Sequence, residues 1–119
     1  MPYNPPARDE YDIQHIYGLV RRNAQNYHIQ RRSLRREQRR YQFDDDIYDL
    51  IMKEIRTDIF ANLHNGLRQE FSARKTTKWF KHLCMLIVNE RSHSFTPGDP
   101  MANRYIIGNV EGLWDIINE

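Results

Sequence analysis

Apolar residues recur at steps of three and four along most of this chain, the period of an α-helix that buries one face. From Asp9 to about Arg40 there is no proline, and Gly18 is the only residue that weakens a helix. Turning about 100° per residue, Ile16, Leu19, Val20, Asn23, Tyr27, Leu34 and Tyr41 gather in one arc. Arg21, Arg22, Arg31, Arg32, Arg35, Arg36, Arg39 and Arg40 gather in another, which spans about half of the circumference. A helix is the simplest account of that separation. Asp9, Glu10 and Asp12 stand where the positive end of a helix dipole favours acids. The apolar stripe thins after Tyr27, so the second half is expected to project beyond the core or to fray.

Asp44, Asp45 and Asp46 precede a second periodic run, Ile47, Leu50, Ile51, Ile55, Ile59 and Leu63. An aspartate here can accept from the free N–H groups of a new helix, and the cluster opposes the dipole. The pattern predicts an amphipathic helix closed at Gly66, where glycine can take the left-handed conformation. A short turn over Leu67–Ala73, with Phe71 inward, leads to Thr76 or Thr77 as the cap of a third helix. That helix runs to Asn89 or Glu90, with Phe80, Leu83, Cys84, Ile87 and Trp79 as its inner stripe. The unbroken apolar run Leu83–Val88 also fits a buried strand, and the Lys-rich helical pattern before it favours the helix.

Arg91 to Pro100 is rich in breakers and reads as a loop. Pro100 then suits a helix start, with Met101–Ile107 making two turns that stop at Gly108. Asn109 caps a last helix bearing Val110, Leu113, Trp114 and Ile117, with Trp114 as its anchor. The first eight residues hold three prolines and read as a mobile arm. The expectation is an all-α fold: a flexible Pro-containing N-terminal arm over residues 1–8, then a single helical domain over residues 9–119, a small bundle of four to five helices.

Composition narrows the class. A chain of 119 residues with 39% hydrophobic and 29% charged side chains is the size of one modest domain. Cys84 is the only cysteine, so no internal disulfide can form, as expected in a reducing compartment. No stretch approaches the roughly 18 apolar residues that cross a bilayer, and the N-terminus lacks a signal-peptide pattern. An intracellular location, cytoplasmic or nuclear, with no membrane partner, is expected.

Net charge is only +2, but it is distributed in blocks. Residues 1–43 carry net +5, residues 44–71 net −4, residues 72–93 net +4 and residues 94–119 net −3. The densest block is Arg-Arg-Ser-Leu-Arg-Arg-Glu-Gln-Arg-Arg, which places Arg31, Arg32, Arg35, Arg36, Arg39 and Arg40 as three pairs at four-residue spacing. Guanidinium is always ionised and its planar fork matches phosphate oxygens in pairs. Such a face can follow an RNA or DNA backbone, with Tyr27, His28 and Tyr41 placed to stack on unpaired bases. Lys75, Lys78 and Lys81, with Arg74 and His82 nearby, extend the surface if the first and third helices lie side by side.

Other readings use the same residues. The arginines also suit an acidic protein surface, or pairing with the chain's own Asp44, Asp45, Asp46 and Asp49, or a plain solvated face. Trp79 and Trp114 are candidate partner-binding anchors, with core packing the leading role for each, and a homodimer seam is one use for an outward Trp. A protein-interaction module, such as a small regulator or inhibitor, or a component of a larger assembly, is therefore the alternative.

Signals for chemistry are weak. His82, Cys84 and His93 lack the paired spacings and the fourth ligand of structural zinc. Ser92, His93 and Ser94 are adjacent without an orienting third group, and the five glycines form no phosphate-cradling loop. A non-enzymatic protein without metal or cofactor is the expectation.

Overall fold

The computed structural model describes residues 10–89 and Val110, and these are helical apart from two short corners. Three helices follow in chain order: α1 Glu10–Tyr41, α2 Asp45–Glu70 and α3 Ala73–Asn89. Val110 is also helical and 1% exposed, and the expected helix from Asn109 otherwise lies outside the described residues. The expected arm, the loop over residues 91–100, the helix over residues 101–107 and the Trp114 anchor lie outside the described residues. The all-α expectation holds, with three complete helices rather than four or five among the described residues.

The helices alternate in direction. Leu19 of α1 meets Gly66 of α2, while Arg35 of α1 lies over Tyr48 of α2 at the opposite end. Phe80 of α3 packs edge-on to Phe60 and His64 of α2, with centroids 6.5 and 5.2 Å away, so α3 returns alongside α2. Two polar contacts tie the α2–α3 corner to the first turns of α1: His15 Nε2 lies 3.5 Å from Glu70 Oε2, and Lys75 Nζ pairs with Asp12 Oδ2 at 3.4 Å. All three helices touch one another. At 1.5 Å per residue α1 is about 48 Å long and α3 about 25 Å, so α3 covers only the N-terminal half of α1.

That arrangement decides which side chains are buried. Ile16, Leu19, Val20, Asn23, Tyr27 and Leu34 are buried as the periodicity predicts, but so are Ala24 and His28, since α1 is covered from two sides there. Tyr41, expected inward, is 66% exposed at the far end of α1. The second half of α1 stays helical to Tyr41 because α2 braces it. Gln38 Nε2 donates to Asp45 Oδ1 at 2.8 Å and to the Phe43 carbonyl at 3.1 Å, which fastens the α1–α2 corner. Gln42 takes a left-handed φ of 54° there, the role glycine usually fills after a helix end.

Four expectations for α2 and α3 are corrected. Gly66 does not close α2, which continues to Glu70. A Cβ at Gly66 would stand 2.5 Å from Leu19 Cδ2, so the glycine serves close approach of two helices. The buried face of α2 is Tyr48, Met52, Ile59, Leu63 and Leu67, whereas Ile47 and Leu50 point outward at 45% and 66% exposure. Asp44 occupies the N-cap position, yet its side chain makes no cap bond, and Asp45 and Asp46 act through the dipole in the first turn. Ser72 rather than a threonine caps α3, its Oγ accepting from the Lys75 N–H at 3.3 Å. Leu83–Val88 is helical, with Leu83, Cys84, Leu86 and Ile87 buried.

Candidate nucleic-acid interface

Beyond the reach of α3, the C-terminal half of α1 has one side on α2 and the other in solvent. Arg32, Arg35, Arg36, Arg39 and Arg40 are exposed and Arg31 is half-buried. An open groove of about 630 Å³ runs along this side, lined by Ile29, Arg31, Arg32, Arg35, Arg36, Arg39 and Tyr48. Six guanidinium groups on about 15 Å of rigid helix make a dense positive surface.

The acids among the described residues neutralise little of it. Arg35 Nη1 lies 3.4 Å from Asp45 Oδ1 and donates to Gln38 Oε1 at 2.8 Å. Its guanidinium carbon also sits 3.6 Å from the centroid of the Tyr48 ring. Arg35 is therefore held by α2. The side chains of Arg31, Arg32, Arg36 and Arg39 have no hydrogen bond or ion pair among the described residues, and the Arg40 guanidinium carbon is 5.2 Å from the Tyr41 ring centroid. Asp44, Asp46 and Asp49 pair with none of the arginines among the described residues.

The second basic group does not join this surface. Lys75 is bound to Asp12 at the opposite end of α1 and lies 5.5 Å from the Trp79 ring centroid. Counting along α1 from Asp12, Arg31 is about 28 Å away. Lys78 and Lys81 are exposed on α3, close to Lys75 and separate from the arginines.

Two further expectations fail on burial. Tyr27 and His28 are 4% and 2% exposed, with ring centroids 5.1 Å apart, so neither can receive a base; Tyr41 can. Trp79 is 1% exposed and packs edge-on to Phe71 at 5.0 Å, which makes it a core side chain rather than a partner anchor. Sequence reasoning also passed over Tyr48 and Gln38, the α1–α2 contacts that hold the arginine helix straight.

Among the described residues no group of three His, Cys, Asp or Glu side chains is placed to hold a metal ion, and no helix is long and apolar enough to cross a membrane. His93 lies outside the described residues. Cys84 is buried, and desolvation pushes its thiol up to about 11, so it is protonated and a poor nucleophile at neutral pH.

No family model, no curated protein and no solved structure matches this chain. Its function has to be argued from the arginine face.

Proposed function

We propose that this is a non-enzymatic, intracellular helical binding protein that contacts the phosphates of RNA or DNA through the arginine face of α1. The observation that carries the reading is that Arg31, Arg32, Arg36 and Arg39 stand on one side of a braced helix without an intramolecular counter-charge among the described residues. A cation with no partner is available to an external anion, and planar guanidinium forks favour phosphate. Lys75, Lys78 and Lys81 act as a separate, weaker contribution. The reading carries with it a cytoplasmic or nuclear location and no cofactor.

An electrophoretic shift titration at two salt concentrations tests it. Binding at low salt that falls steeply as salt rises is the expected result, because each neutralised phosphate releases counterions. Micromolar protein that shifts neither single- nor double-stranded nucleic acid at low salt removes the proposal.

The second reading is a protein-interaction module whose arginines meet an acidic protein surface, alone or as a homodimer. The outward Ile47 and Leu50 of α2 favour it, since neither is used by the core. Light scattering together with a pull-down from nuclease-treated lysate separates the two. Partners retained after nuclease favour the protein reading, and partners lost favour nucleic acid.

A further inference from the structure

We infer that the outer face of α2 is a docking surface for the arginine face of α1 in a second copy of this chain, an inference that goes beyond the phosphate reading. The two faces share one plan with opposite charge. Ile29 stands nine residues after the fully buried Val20, and Leu50 nine residues before the fully buried Ile59. Each therefore points about 180° away from the core side of its own helix. Both are large aliphatic side chains left outside, Ile29 at 56% and Leu50 at 66% exposure. Arg32, Arg36 and Arg40 lie within about 60° of Ile29 around α1. Asp46, Glu54 and Asp58 lie within about 80° of Leu50 around α2, with Lys53 as the base among them. Leu50, Lys53, Glu54, Thr57 and Asp58 also line an open groove of about 510 Å³, the acidic counterpart of the arginine groove.

Neither set of charges is answered by its own chain. The side chains of Asp46, Glu54 and Asp58 are exposed and make no hydrogen bond or ion pair among the described residues, as is the case for Arg32 and Arg36. Like charges four residues apart repel along a helix, which describes Glu54 and Asp58 as well as Arg32, Arg36 and Arg40. Four residues rise about 6 Å on either helix, so the acids of one copy match the spacing of the arginines of another. Each series then relieves the repulsion within the other.

A single chain cannot close this contact on itself, because both faces turn away from the core that joins α1 to α2. A second copy supplies both halves at once, acid against arginine and Leu50 against Ile29. A net charge of only +2 sets little long-range repulsion between copies. Exposed ion pairs around a small aliphatic contact make a weak interface that salt screens. Nucleic acid uses the same arginines, so it displaces the copy.

Multi-angle light scattering of the full chain, freed of nucleic acid by nuclease and a high-salt wash, tests this. At low salt the mean mass should rise above the monomer with concentration, and high salt should weaken association by more than about tenfold. Arg32→Glu with Arg36→Glu, and Glu54→Arg with Asp58→Arg, should each keep the helical circular dichroism and stay monomeric at low salt. Mixed in equal amounts, these two variants should associate again, because each meets its opposite on the other. Leu50→Ser, which leaves every charge in place, should weaken association by about fivefold or more. A parent chain that stays monomeric at millimolar concentration in low salt overturns the inference. So does association that neither reversal disturbs, or reversed variants that ignore each other on mixing. The shift titration judges the phosphate reading separately: a monomer that binds nucleic acid sinks only the self-docking, and an associating chain that binds none sinks only the phosphate reading.

Discussion

The guanidinium of Arg35 lies over the ring of Tyr48, its central carbon 3.6 Å from the ring centroid. One arginine of the basic block is thus part of the α1–α2 packing, while its neighbour Arg36, one residue along, is exposed and unpartnered among the described residues. Stability and binding should divide between them. A cation over a tyrosine contributes about 0.5–1 kcal/mol and an exposed ion pair up to about 1 kcal/mol. Arg35→Ala should therefore destabilise by about 1 kcal/mol in urea unfolding, and Arg36→Ala by no more than about 0.5 kcal/mol. Nucleic-acid affinity should show the reverse order.

The α1–α2 corner turns on Gln42, whose φ of 54° is unfavourable for a residue with a Cβ. The left-handed conformation costs an L-residue roughly 1–2 kcal/mol, of which glycine's extra chain entropy returns part. Gln42→Gly should raise stability by about 0.5–1 kcal/mol, whereas Gln42→Val should lower it. Thermal melts of the two variants give the comparison, and a destabilised Gln42→Gly would show the corner to be held differently.

Thr76 is fully buried, and its hydroxyl oxygen finds no partner among the described residues. Removing an unsatisfied buried polar group while keeping the shape should stabilise. Thr76→Val is expected to gain about 1 kcal/mol by denaturant unfolding. Thr77, whose hydroxyl donates to the Ala73 carbonyl at 3.0 Å on the exposed side, serves as the control with little change.

Burial keeps the Cys84 thiol neutral, raising it from an ordinary 9.0 to about 11. The folded state thus favours the protonated thiol. Its contribution is fully present below pH 9.0 and is lost as pH rises towards about 11. Stability of the native chain should fall more steeply through that window than stability of Cys84→Ala. Iodoacetamide should label Cys84 slowly in the folded protein at pH 8 and rapidly in denaturant. Fast labelling of the folded chain would place the thiol near the surface.

Much of α1 is legible from sequence because eight arginines and an arc of seven other residues, six of them buried, divide one circumference, and only a helix separates them so cleanly. The phase of α2 is harder, since Ile47 and Leu50 are as apolar as the Tyr48 and Met52 that are actually buried. Tyrosine and methionine look amphipathic in a pattern of isoleucines, and α1 chooses between the faces. Gly66 carries the same letter whether it ends a helix or admits Leu19, and only the partner helix tells these apart. The burial of Tyr27 and His28 and the separation of Lys75 from the arginines share a cause. Both follow from how far along α1 the shorter α3 reaches, which local periodicity does not encode.

The salt dependence of affinity measures the central claim most directly. Each phosphate neutralised adds about −0.9 to the slope of log affinity against log salt on duplex DNA. Arg31, Arg32, Arg36 and Arg39 acting together predict a slope of about −3.6, and replacing Arg32, Arg36 and Arg39 by glutamine should reduce its magnitude by about 2.7. A slope near zero, or one that the triple replacement leaves unchanged, contradicts an arginine face built to hold phosphates.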